Sequence, residues 1–178
     1  MLPYNELGAA AAAYNADEKE LCRLDEIYSA VKTPFEIRSG SEKVTRRFFK
    51  ICNNGRESFT GLYKNLTEQG ICKGHQCIAY GLYMRDNGIE LSEGLAVYGY
   101  SICSAIVTNC VKLVPLSQLA GQKILGESFE LISSASEKAL FTDINDIGIS
   151  GAGFDLRAMQ HERLYSRPVS YTHLRAHE

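Results

Sequence analysis

The sequence predicts an all-α fold, a single-domain helical bundle, on three observations. Apolar residues recur at helical steps of four and three, as in Leu91, Leu95, Tyr98, Ile102, Ala105 and Asn109. Helix stop and start signals punctuate the chain at short intervals: Asn53-Asn54-Gly55, Gly70, Asn87-Gly88, and Pro115 followed by Ser117. No alternating apolar–polar run is long enough to require a strand, and no internal repeat is present.

Each element follows from local chemistry. A first helix is predicted from about Asn5 to Ala30, with an alanine-rich start that favours helix. The next has a start signal of its own, with Thr33 as cap, Pro34 at the first helical position and Glu36 completing a capping box. It is expected to run to about Asn53. A helix over Ser58 to Glu68 closes at Gly70, and a shorter one over Gln76 to Arg85 ends at Asn87-Gly88. Two long helices, Ile89 to Leu113 and Ser117 to Ala139, meet at a corner. Pro115 cannot continue a helix, and Ser117 can cap the next one. The Asp-, Asn- and Gly-rich stretch from Phe141 to Gly153 reads as a loop, its glycines as a flexible tether, and Phe154 to Tyr165 as the last helix.

Composition narrows the function classes. The chain has 178 residues, enough for one proper core, and is 45% hydrophobic and 22% charged, as soluble globular chains are. A net charge of −2 lacks the basic stripe of a nucleic-acid binder. Six cysteines with no signal peptide and no close pairing pattern suggest buried thiols in a reducing cytoplasmic compartment. Gly94 to Val111 carries no charge over a length that reaches the usual threshold for a membrane span, but it holds two tyrosines, two serines, a threonine and an asparagine. We therefore expect no membrane span; a central helix, or one at a subunit interface, has this pattern.

Candidate chemistry is sparse. Cys72, His75 and Cys77 have the residue types that bind soft or borderline metals, but no second pair completes four ligands, and packing explains them better. Cys103 and Cys110 lie two turns apart on one helix face, the pattern of small buried residues. Gly148 to Gly153 precedes a helix without the Lys-Ser/Thr pair of a P-loop or a strand leading into it. With His75 and His161 as the two credible histidines, no nucleophile–base arrangement emerges. Neighbours on a helix diverge, so His161-Glu162 is not a natural acid–base pair. A non-enzyme is expected. Contact residues are better represented. The corner is amide-rich and sparsely charged, with Asn109, Gln118, Gln122, Lys112 and Lys123. Near the end, His161, Glu162, Tyr165 and Arg167 mix an imidazole, a carboxylate, an aromatic and a planar cation, as interface anchors do; an amphipathic helix with a solvated face is the plainer explanation.

The last residues, Pro168 to Glu178, resemble a translation of a transposon-end adapter used in sequencing libraries. Val169 to Glu178 back-translates into that adapter, with Pro168 as a hybrid junction codon. Residues 168–178 are therefore set aside as an artefactual tail, and with them His173 and His177, whose i, i+4 spacing could otherwise hold a metal.

Four segments carry a family resemblance: the corner from Asn109 to Leu125; Asp155 to Arg167; Lys32-Thr-Pro-Phe-Glu-Ile-Arg38 followed by Arg47-Phe-Phe49; and His75-x4-Tyr80-Gly81 followed by Gly88-Ile89. Together they resemble the urease accessory protein family UreF, helical proteins that help load nickel into urease. The family's opening proline-glycine segment and its His-Ser and Gly-Leu-Glu signature have no match. Residues 1–167 are thus expected to be a UreF-like domain without its first helices. The resemblance implies a dimer that bridges UreD (also called UreH) and the GTPase UreG for nickel insertion into urease apoenzyme. It also implies that no cofactor is bound directly, nickel and GTP being handled by the wider complex. It further implies that the tail residues His161, Glu162, Tyr165, Ser166 and Arg167 dock onto UreD. Tyr98, Tyr100, Asn109, Lys112, Pro115, Gln118 and Gln122 become candidates for the dimer or UreG-facing surface. A different class of function, a helical metal-binding protein or enzyme using Cys72, His75, Cys77 and His161, stands as the alternative.

Overall fold

Helix α1, Glu6–Asn15, carries the unbroken run from Gly8 to Ala13, and that run sets the geometry of the core. Its small side chains let helix α5, Gln76–Asp86, approach closely: a Cβ on Gly81 would fall 2.2 Å from the carbonyl oxygen of Ala10. The alanines thus do more than favour helix; they make room. The computed structural model describes residues 2–52, 55, 58–149 and 151–164, and those residues form an all-α, single-domain fold. The remaining α-helices are α2 (Glu18–Val31), α3 (Phe35–Ile51), α4 (Phe59–Glu68), α6 (Leu91–Leu113), α7 (Gln118–Glu127), α8 (Phe129–Ala139) and α9 (Ala152–His161). Single 3-10 turns lie at Leu2–Tyr4 and Ile144–Asp146.

The core gathers around α1 and α5. Leu7, Leu21, Leu24, Ile78, Leu82 and Leu95 are essentially inaccessible to solvent, and Tyr80 stacks on Tyr98 with ring centroids 4.5 Å apart. Helix α4 is fixed to the end of α5 by Asp86, whose carboxylate accepts from the amides of Phe59 and Thr60 at 2.9 and 2.8 Å. These are orphan donors at a helix start, where a negative charge is favoured.

Several predicted boundaries move. The first helix is two, because Asp17 accepts from the Glu20 amide at 2.9 Å while the Glu20 side chain accepts from the Asp17 amide at 3.0 Å. That reciprocal cap starts a new helix at Glu18. Helix α3 begins one residue later than expected, with Pro34 at the cap position and no side-chain cap from its own sequence. Glu36 does not complete a capping box; its carboxylate is turned to His161. The long helix after the corner breaks at Ser128 into α7 and α8. Ser117 caps α7 as expected, accepting from the Ala120 amide at 3.1 Å.

Up to Gly148, the segment after α8 is held in place rather than slack. Asp143 caps its 3-10 turn, and the Gly148 amide donates to Tyr4 O at 2.9 Å. Gly148 has φ +104° and sits so close to Val31 that a Cβ would lie 2.5 Å from its Cγ1, so the glycine serves a crossing rather than a hinge. The last helix starts two residues earlier than expected, at Ala152, and ends at His161, short of the predicted Tyr165; residues 168–178 with His173 and His177 lie outside the described residues.

Candidate interaction surface

Helix α6 has two characters. Its first half is core: Gly94, Leu95, Tyr98 and Gly99 are buried. Past Tyr100 the helix faces outward, and Ala105, Ile106, Thr108, Asn109 and Cys110 are exposed. Among the described residues it is the one helix long and apolar enough to cross a membrane by length and composition. Its partners explain the pattern: α8 covers the first part, where Ile132 Cγ2 would lie 3.0 Å from a Cβ on Gly99, and α7 folds back past the corner, where Gly121 lies against Val111 and Val107. Val97, Tyr100, Ser101, Ser104, Ala105, Thr108 and Asn109 line an open groove of about 500 Å³. Tyr100 leans on Phe129 of α8, ring centroids 5.8 Å apart.

The structure sorts the corner candidates. Tyr100, Asn109, Lys112, Pro115, Gln118 and Gln122 are all on the surface. Tyr98 is not: it is 2% exposed, and its hydroxyl donates to Glu6 at 3.2 Å. It leaves the candidate contact surface because its place on the α6 stripe points it at α1. Cys110 also departs from expectation, being exposed rather than buried. Sequence reading missed the apolar companions of the corner, Leu119, Phe129 and Leu131, which are 81%, 56% and 73% exposed. Their spacing within an amphipathic pattern gave no sign of which side would be left uncovered.

Inside the bundle, Glu6 and Lys32 pair at 2.7 Å, and Lys32 also donates to the Tyr28 hydroxyl at 3.2 Å. Burial alone would raise the Glu6 carboxyl; the Lys32 charge and the hydrogen bonds from Lys32, Tyr28 and Tyr98 outweigh it and hold the group below the usual range. The pair borders a cavity of about 420 Å³ lined mainly by apolar side chains, among them Val31, Ile37, Ile102, Ile106 and Phe154. Removing either partner would strand a charge beside those walls.

The tail candidates converge in a way their neighbouring positions did not suggest. Glu162 accepts from the Phe35 amide at 2.8 Å, supplying the cap that Pro34 cannot give α3. His161 Nδ1 lies 2.8 Å from Glu36 Oε2. Both residues therefore seat α9 on the start of α3. Helix α9 buries no residue of its own, and Phe154 and Leu156 are 59% and 60% exposed. Tyr165, Ser166 and Arg167 lie outside the described residues.

The alternative metal set is dispersed. Cys72 faces Cys22, His75 Nε2 meets Ser29 Oγ at 2.8 Å, Cys77 is wholly buried in the core, and His161 is on α9 with Glu36. Among the described residues no three His, Cys, Asp or Glu side chains come together as a metal set. Burial raises the Cys77 thiol, which makes a thiolate ligand costly there.

Comparison with known proteins places these features in a family. The family model for UreF matches residues 2–128. The urease accessory protein UreF of Actinobacillus pleuropneumoniae serotype 5b (strain L20) is 31% identical over 169 residues, covering 92% of this chain and 74% of the relative. The same-named protein of Haemophilus influenzae (strain KW20) is 31% identical over 169 residues, covering 92% and 72%. That of Paenarthrobacter aurescens (strain TC1) is 30% identical over 148 residues, covering 81% and 65%.

Proposed function

We infer the function from a plain premise: the chain belongs to the UreF family. Its relatives are named as urease accessory proteins, and we read this chain as an assembly protein of urease maturation rather than a catalyst. It bridges UreD (UreH) and the GTPase UreG so that nickel reaches urease apoenzyme, with the nucleotide and metal chemistry carried out by the other members of the complex. It works as a homodimer in the cytoplasm. The observation that carries this reading is the uncovered surface at the α6–α7 corner. There Tyr100, Asn109, Lys112, Pro115, Gln118 and Gln122 lie exposed beside Leu119 and Phe129. Aromatic and apolar anchors among amides, with few charges, make the composition of a contact face.

The second contact is the C-terminal segment, in which His161 and Glu162 end an exposed helix that leads into Tyr165, Ser166 and Arg167. A short helix with no buried residue can reorder on a partner at little cost to the core. Co-purification with UreD tests this directly. Deletion of Met159 to Arg167 is expected to abolish capture while the remaining chain keeps its helical circular-dichroism spectrum; undiminished capture of UreD by that variant overturns the docking role of the segment.

A further inference from the structure

Cys22 and Cys72, fifty residues apart in sequence, hold their Sγ atoms 3.9 Å apart. Cys22 lies on α2 and is partly exposed; Cys72 lies in the loop between α4 and α5 and is 3% exposed. The approach is enforced from both sides. Asp25, one turn beyond Cys22 on the same face of α2, accepts from the amides of Lys73 at 2.6 Å and Gly74 at 3.1 Å. It also accepts from the Tyr63 hydroxyl at 2.6 Å, which in turn accepts from the His75 amide at 2.8 Å. On the other side, the Cys72 amide donates to Leu66 O at 3.2 Å. A loop strapped to the carboxylate of one residue carries its cysteine to the thiol of another, and two sulfurs in van der Waals contact need mainly side-chain rotation to reach the bonding distance of about 2.05 Å.

We propose that Cys22 and Cys72 form a dithiol that a hydroperoxide closes to a disulfide, tying α2 to the loop before α5. Cys22 reacts first, because solvent reaches it. Its sulfur attacks the terminal oxygen of the hydroperoxide, the O–O bond breaks, and the thiol proton leaves with the other oxygen as an alcohol, or as water when the oxidant is hydrogen peroxide. The product at Cys22 is a sulfenic acid. The Cys72 sulfur then attacks the Cys22 sulfur; the S–S bond forms as the S–O bond breaks, and hydroxide departs with the Cys72 proton as water. Two thiols have lost two electrons, and the peroxide bond has taken them. Burial, the Asp25 carboxylate and Cys22 itself hold the Cys72 thiol well above the usual range, which disfavours it as the first thiol to meet the oxidant. The cross-link encloses all of α3 and α4 and fixes the loop that sets the start of α5. Neither thiol belongs to the contact surfaces proposed above, so the inference stands apart from that reading.

The experiment uses the full chain treated with hydrogen peroxide, alkylated under denaturing conditions and digested with trypsin. The expected product joins the peptides 20–23 and 65–73, weighs two hydrogens less than the reduced pair, and is cleaved by dithiothreitol. The cross-linked protein should melt about 5 °C or more above the reduced one, because the unfolded chain is then closed into a long loop. Cys22→Ala and Cys72→Ala should each remove both the linked peptide and the peroxide-dependent rise. If Cys22 and Cys72 are both recovered alkylated after Cys110 has oxidised, or if the principal disulfide joins other cysteines, the proposal is wrong. These outcomes are read on the unsubstituted protein and do not depend on either variant folding.

Discussion

His75 illustrates how burial alone can fix a protonation state. The side chain is wholly buried, its ring centroid 5.0 Å from that of Tyr28 in a T-shaped contact and Ser29 Oγ at Nε2, while Nδ1 has no hydrogen-bond partner. A proton on Nε2 leaves only a lone pair unsatisfied; a proton on Nδ1 would bury a donor with nothing to receive it. Desolvation therefore dominates, and against the opposing pull of Asp25 it pushes the imidazole down to about 4. The unfolded chain binds this proton near the ordinary histidine value of about 6.5, so between these limits the unfolded state holds more protons and stability falls as pH is lowered. The loss comes to roughly 3 kcal/mol across the window. Thermal melts from pH 7 to pH 4 should show that decline, and His75→Gln should start from a lower Tm at pH 7 but fall less steeply. Parallel slopes for the two proteins would show that another group governs the acid limb. The residue types around Cys72, His75 and Cys77 were visible in the sequence. Their destinations were not, because Asp25, Ser29 and Cys22, more than forty residues away, decide where each one points.

At the scale of elements, helix starts were legible mainly where a cap and its helix are neighbours in sequence. Ser117 accepts from the third amide of its helix as read, and Ser58, expected as the first residue of its helix, does the same one position before α4. The Asp17-x-x-Glu20 spacing carried the same signal within a stretch whose continuous helical pattern concealed the break. The start of α3 was read to within one residue from Pro34, but its cap was not legible, because that cap is Glu162, 127 positions away. No local window contains that pairing. It makes α9 dependent on α3 through polar contacts at one end, His161 to Glu36 and Glu162 to Phe35, with little apolar burial behind them. The exposed His161–Glu36 pair contributes little, whereas loss of a helix-capping acceptor costs about 1 kcal/mol. Glu162→Ala should therefore speed amide hydrogen exchange over 152–161 and the first turn of α3, and lower the global Tm by only about 2–4 °C. Unchanged exchange over α9 would mean that something other than this cap holds the helix.

For the whole molecule, the decisive feature is that α6, the most apolar helix among the described residues, is only half used. The first half of α6 supplies the core with Leu95 and Tyr98; the second half, with α7 and α8, leaves Ile106, Leu113, Leu119 and Leu131 more than half exposed. The sequence showed an uncharged stretch, Gly94 to Val111, and offered two explanations, a central position and a subunit interface. The structure assigns the first explanation to the N-terminal half. For the C-terminal half, the groove between Val97 and Asn109 is floored by Ser101, Ser104, Ala105 and Thr108, side chains short enough for another helix to approach closely. Uncharged surface of this kind is costly to leave in water, and a second copy of the same face supplies the matching apolar rim for the homodimer we propose. Ala105→Arg places a long charged side chain in the groove while disturbing little within one chain, since the position is exposed and arginine is a good helix former. Light scattering coupled to size exclusion should give twice the chain mass for the unsubstituted protein at micromolar concentration. The variant should give a single chain mass at the same concentration, corresponding to dimer affinity weakened about tenfold or more, a penalty of at least about 1.4 kcal/mol. Its helical content and Tm at low concentration should match those of the parent. A dimer that survives Ala105→Arg moves the interface away from α6, and a parent that stays monomeric at high concentration leaves this face to a different protein of the urease assembly.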